Sequence, residues 1–86
     1  MPRYRRAVIE KYALNCYCRV RFNVGKELVG WLVKDFNDER RYALLQANGE
    51  YTSFPIICIR RIILFSNNYE LPYMEELNEK VSRKGQ

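Results

Sequence analysis

Apolar and polar positions alternate from Tyr17 to Asn23: Cys18, Val20 and Phe22 fall on one side, Tyr17, Arg19 and Arg21 on the other. That period of two predicts a half-buried β-strand. Val24-Gly25-Lys26 reads as a tight connection and Glu27 to Phe36 as a second strand. Leu28 and Leu32 share one face of it, Val29, Trp31 and Val33 the other, and Gly30 between them predicts a bend or a close backbone approach. The stretch "FNDERR", residues 36–41, is a charged turn whose Asn-Asp pair suits a helical or type I reversal. A third strand follows over Arg41–Gln46, with Tyr42 and Leu44 opposite Ala43 and Leu45. Asn48-Gly49 predicts a type I′ hairpin pair, because both residues tolerate positive φ, with its partner strand running from Glu50 to Phe54. Pro55 cannot donate to a ladder and marks an edge, a bulge or a break. The isoleucine-rich run Ile56–Phe65, interrupted by Arg60-Arg61, supplies a fifth strand.

The two ends differ from this middle. In "RYRRAVIEKYAL" Tyr4, Val8 and Tyr12 recur every four residues, the stripe of a helix, although a strand also fits. In "ELPYMEELNEKVSRK" Pro72 suits a first helical turn, Glu75 and Glu76 follow it, and Lys80, Arg83 and Lys84 close it. Met74, Leu77 and Val81 form its narrow apolar stripe. The chain is therefore expected to be mainly β: a small five-stranded SH3-like or Sm-like barrel with an N-terminal helix and a C-terminal helix. Its expected divisions are a basic N-terminal arm or helix over 1–15, the barrel over 16–66 and a C-terminal helical extension over 67–86.

The strand pair resembles the first motif of the Sm-like proteins, which include the bacterial Hfq-type RNA chaperones. That motif spaces a Gly, an apolar residue, a second Gly and another apolar residue as Gly25, Leu28, Gly30 and Leu32 do here. The resemblance covers roughly Tyr17 to Phe65 and implies a small barrel preceded by a helix, with RNA as the favoured nucleic acid. The family's terminal Asp is displaced, since Asp35 precedes Phe36, and Ile59-Arg60-Arg61 carries arginine where the second motif has glycine. The Hfq-type Tyr-Lys-His is absent from a chain without histidine. The stretch "GKELVGWLVKDF" also resembles PRC-barrel strands and small bacterial Rho-inhibitor proteins.

Composition narrows the function classes. Eighty-six residues make one domain with a thin core. The longest apolar run, Phe54 to Ile59, is too short to span a membrane, and no apolar stretch backs the N-terminal cations as a signal peptide requires. A cytoplasmic protein is expected. Three cysteines (Cys16, Cys18 and Cys58) and no histidine suit neither a disulfide scaffold nor a zinc site, so no metal and no cofactor is expected. The thiols read as small apolar core groups. Net charge is +5, and residues 1–26 hold seven cations against the single acid Glu10. A basic excess of this kind suits either an anionic partner or a solvated face.

The candidate residues follow. Tyr17, Arg19 and Arg21 project from one strand face, and cations interleaved with a ring suit single-stranded nucleic acid: guanidinium holds phosphate while the ring stacks a base. The plainer alternative is a solvent-facing strand with cross-strand ion pairs, for instance to Glu27 or Asp35. Arg3, Arg5 and Arg6 form a basic arm able to contact phosphate, with Lys26, Arg60 and Arg61 as further cations. Trp31 reads as core or as packed beneath a terminal helix; facing a partner instead, it would be a hot spot alongside Phe54 and Ile57. General acid–base chemistry has no histidine to use, and no Gly-rich phosphate loop occurs, so an enzyme is not expected. Two functions remain: a nucleic-acid-binding regulatory module, single-stranded RNA favoured, or a protein-interaction adaptor such as a small phage or mobile-element inhibitor of a larger host protein. In either case a monomer or homodimer is expected, not a closed ring.

Overall fold

The computed structural model describes residues 3–73. The expected C-terminal helix lies outside the described residues, apart from Pro72 and Tyr73, neither of which is helical. The described chain runs through helix α1 (Arg6–Val8), which continues as a π-helix over Ile9–Ala13, then strands β1 (Tyr17–Phe22), β2 (Glu27–Lys34), β3 (Arg41–Leu45) and β4 (Tyr51–Pro55). A 3₁₀ turn (Ile56–Cys58) leads to β5 (Ile59–Leu64) and the two-residue β6 (Tyr69–Glu70).

These strands form one antiparallel sheet in the order β4-β3-β2-β1-β5-β6. The first four make a meander, after which the 3₁₀ turn carries the chain across so that β5 pairs with the far side of β1. The mainly β expectation holds, but the closed five-stranded barrel does not. No ladder joins β4 to β5 among the described residues, and a sixth strand, within the segment expected to be helical, occupies the outer edge of β5. Pro55 ends β4 without a donor, and the turn after it spends the residues that a closing strand would need.

Both tight hairpins use the same device. Phe22 pairs with Lys26 and Gln46 with Glu50, leaving three-residue loops in which only the final glycine, Gly25 or Gly49, has positive φ. That is a type I turn closed by a glycine bulge. The expected type I′ turn at Asn48-Gly49 is thus corrected: Asn48 does not take positive φ, because Ala47 joins the loop instead of the ladder. Register depends on this single residue, since a slip of one turns every side chain to the opposite face.

The resulting register sorts the sheet cleanly. Cys18, Val20, Phe22, Leu32, Tyr42, Leu44, Phe54, Ile59, Ile62 and Leu64 face inward and are buried. Val8, Ile9 and Ala13 of the helical segment belong to the same core. Full burial of one such aliphatic side chain is worth about 1.5–3 kcal/mol. The π-helix, marked by the Leu14 N–H on the Ile9 carbonyl at 2.9 Å, brings Ile9 and Ala13 inward together, and Asn15 at φ 67° turns the chain into β1. Tyr4 anchors the N-terminus: its hydroxyl donates to the Leu71 carbonyl and accepts from the Ile62 N–H. Burial pushes that hydroxyl's pKa up to about 12. Among the described residues no helix is long and apolar enough to cross a membrane.

Gly30 lets β2 and β3 come close together. A Cβ there would sit 2.6 Å from the Leu45 carbonyl oxygen, so β2 and β3 approach as only glycine allows. The bend or close approach expected at this position is a close approach.

Candidate functional site

The outward face of the sheet carries a row of large side chains that crosses β1 to β4 and continues onto the residue after β5. Phe65 donates its N–H to the Tyr17 carbonyl, Tyr17 lies opposite Trp31, Trp31 opposite Leu45, and Leu45 opposite Tyr51. Trp31 is 49% exposed, Phe65 47%, Leu45 39% and Tyr51 37%. The rings touch edge to face: Tyr17 lies 5.1 Å from Trp31 and 5.2 Å from Phe65. Trp31, expected from the sequence to be core or packed beneath a terminal helix, is not core but the middle of an exposed row. It sits there because inward Leu28, Gly30 and Leu32 alternate with outward Val29, Trp31 and Val33.

Two residues further along β1 the face turns cationic. Arg19 and Arg21 point outward, as expected, and β5 adds Arg61 opposite Arg21. Arg19, Arg21, Arg61, Glu27 and Ile63 line a shallow depression of about 160 Å³. The Arg19 guanidinium also lies 5.3 Å from the Phe65 ring centre, tying the two rows together. Arg19 pairs with Glu27 at 3.6 Å and Arg61 with Glu70 at 3.5 Å, whereas Arg21 has no acidic partner among the described residues. The cross-strand ion pair to Glu27 is present, and it leaves one guanidinium uncompensated.

The far end of the row is pinned by a carboxylate. The Tyr51 hydroxyl donates to Asp35 at 2.7 Å and accepts the Phe36 N–H at 3.0 Å. Phe36, 80% exposed, stacks on Tyr51 with ring centres 5.3 Å apart and planes 16° apart. The bond from Tyr51, helped by Ser53 and the Asn37 backbone against the cost of burial, holds the Asp35 carboxyl below the usual carboxylate range.

The remaining predicted cations lie elsewhere. Arg6 is no loose arm: it donates to the Glu39 and Arg40 carbonyls and sits 5.4 Å from the centre of the Tyr42 ring, on the inward side. Arg3 and Arg5 are exposed, and the Arg5 N–H is bound to the Tyr73 carbonyl. Arg60 is the extra residue of a β-bulge opposite Arg21 and Phe22, and its carbonyl accepts the Tyr73 hydroxyl. That bulge lets both arginines interrupt the isoleucine run while remaining exposed.

Lys26 lines a second hollow of about 230 Å³ at the open end of the inward side, together with Phe22, Val24, Leu28, Thr52, Phe54 and Cys58. Phe54, proposed from sequence as a partner contact, is 5% exposed and packs on Phe22 at 4.9 Å; it is core and cleft wall rather than exposed surface. Ile57 is exposed at 53%.

Sequence reading missed Phe65, Leu45, Tyr51 and Phe36 as members of the outer face. The usable signal was hairpin register: given Tyr17 outward and three-residue loops, the row follows by counting. Among the described residues no group of three or more His, Cys, Asp or Glu is placed to hold a metal ion. No family model, curated protein or solved structure matches this chain.

Proposed function

We propose that the protein is a non-enzymatic nucleic-acid-binding module whose partner is single-stranded, with RNA favoured. One observation carries it: a row of half-exposed rings, Phe65, Tyr17 and Trp31, lies directly beside the arginines Arg19, Arg21 and Arg61 on the outward face of the sheet. Half-exposed rings on a sheet face offer π-faces to unstacked bases, and adjacent guanidinium groups hold phosphate. Duplexes hide their bases, so this arrangement favours single strands. The groups gathered here bind; none is a nucleophile set beside a base. Fluorescence anisotropy with labelled single-stranded RNA and DNA at low salt tests the proposal. Binding by wild type that weakens in Trp31→Ala supports it, and no binding at about 10 μM protein at low salt, where even non-specific contacts tighten below their roughly 1–100 μM range at physiological salt, ends it.

A second reading, a protein-interaction adaptor or inhibitor of a larger protein, draws on the apolar cleft beside β4 and on Val24, 86% exposed at its rim. Val24→Asp discriminates the two: it abolishes capture of a protein partner and leaves single-strand binding intact.

A further inference from the structure

We infer that the outer face binds a short single strand laid across the β-strands, through base stacking on the ring row, with a single phosphate held at Arg21. This rests on the proposed function and adds its binding mode, footprint and salt dependence.

The direction follows from the row itself. Phe65, just past the end of β5, and Tyr17, Trp31, Leu45 and Tyr51 of β1, β2, β3 and β4 succeed one another across the sheet, not along any strand. Adjacent strands lie about 4.8 Å apart, so the row spans roughly 19 Å. One base per ring of the row, at Phe65, Tyr17, Trp31 and Tyr51, gives a footprint of roughly four nucleotides, at the low end for single-strand-binding modules. Phe36, stacked flat on Tyr51 and open on its other side, ends the row with an exposed π-face. The hydroxyl bond from Tyr51 to Asp35 fixes that terminal platform in place.

The charge count sets the rest. Arg19, Arg21 and Arg61 bring three positive charges to one end of the face, and Glu27 and Glu70 return two negative ones. Among the described residues one uncompensated charge remains at that end, at Arg21, enough for one phosphodiester rather than a polyanion track. At the opposite end the row finishes on Asp35, a buried carboxylate bound by Tyr51 with Arg41 beside it, so that end adds no net positive charge. Bases therefore supply most of the affinity, unlike a basic groove that follows a backbone. For single strands the slope of log K against log salt is about −0.7 per phosphate neutralised, so a slope between about −0.7 and −2 is expected here.

Anisotropy with labelled oligouridylates of two to twelve nucleotides, each titrated from 50 to 300 mM salt (roughly the range over which counterion release is read), tests this. The expected result is an affinity that levels off near four or five nucleotides, with a shallow slope. Arg21→Ala should flatten that slope by about one phosphate equivalent, or ~0.7. Trp31→Ala should weaken binding roughly tenfold or more with the slope unchanged. Trp31→Phe, which keeps a ring, should retain most of the affinity, and thermal melts of each variant confirm folding. Tight binding that keeps rising to twelve nucleotides, or a slope of about −4 or steeper, would overturn this inference while leaving single-strand binding in place. No binding to any length would overturn the proposed function itself.

Discussion

Arg21 and Arg61 stand directly opposite one another on β1 and β5, two exposed guanidinium groups in a cross-strand pair. Like charges so placed destabilise a sheet by an amount on the order of 0.2–1 kcal/mol. Glu70 relieves Arg61, but nothing among the described residues relieves Arg21. A fold selected for stability alone would place a threonine or a glutamate at one of these positions; an anion bound between them would remove the conflict.

Arg21→Thr should therefore leave the free protein as stable as wild type, or more stable by up to about 1 kcal/mol, while weakening single-strand binding. Urea midpoints read the first effect and anisotropy the second. A clear loss of stability would assign Arg21 a structural role and remove it from the site.

Gly30→Ala should destabilise by about 1–3 kcal/mol or more, because the new Cβ meets the Leu45 carbonyl at 2.6 Å and backbone cannot yield as a flexible side chain can. For a domain of this size each 1 kcal/mol moves the melting midpoint by about 4–8 °C. An unchanged melting temperature would mean that β2 and β3 separate more easily than their geometry implies.

Asp35 gives the fold an acid-side sensitivity. Its carboxyl pKa is held low, chiefly by the Tyr51 hydroxyl, so its contribution is complete above the ordinary aspartate pKa and is lost as pH falls through the depressed folded value. Asp35→Asn should be less stable than wild type at neutral pH, with the gap closing as pH falls below about 4. Chemical denaturation at a series of pH values measures that gap, and a gap that stays constant would show that the carboxylate's charge is not what the Tyr51 bond stabilises.

The strands were legible in the sequence because alternation is a local property: β1, β2 and β3 fall within two residues of where Cys18/Val20/Phe22, Leu28/Leu32 and Tyr42/Leu44 predict them. Loop geometry was less so. Asn48-Gly49 satisfies a two-residue and a three-residue loop equally well, and the choice depends on whether Ala47 enters the ladder. Trp31 was ambiguous for a related reason. Both faces of β2 are apolar, and only pairing with Tyr17 and Leu45 identifies the outward one. Closure was not legible at all, since it turns on how the 3₁₀ turn and β6 share the edges that β4 and β5 leave open. The Arg21–Arg61 opposition likewise needs the bulge at Arg60, a register shift that no local pattern signals.

Assembly into a ring by pairing β4 of one subunit with β5 of the next needs both edges free. Among the described residues the β4 edge is open but short, and Pro55 at its end lacks a donor. The outer edge of β5 is already occupied: Glu70 and Tyr69 pair with Ile63 and Leu64, the Leu71 N–H bonds to the Ile62 carbonyl, and the Tyr4 hydroxyl accepts the Ile62 N–H. Opening that edge would strip the buried Tyr4 hydroxyl of both partners, at a cost on the order of 1–3 kcal/mol for each group left unsatisfied. A monomer, or a two-fold dimer using the β4 edge, is therefore the expected state. Light scattering coupled to size exclusion should give a mass near the 10.4 kDa of one chain or twice that value. A ring-sized species would require β6 and Tyr4 to leave the edge they hold. Tyr4→Phe, which removes the hydroxyl that caps Ile62, should then shift the population further toward that ring; if it leaves a monomer unchanged in mass, the edge is closed by β6 and Leu71 even without Tyr4.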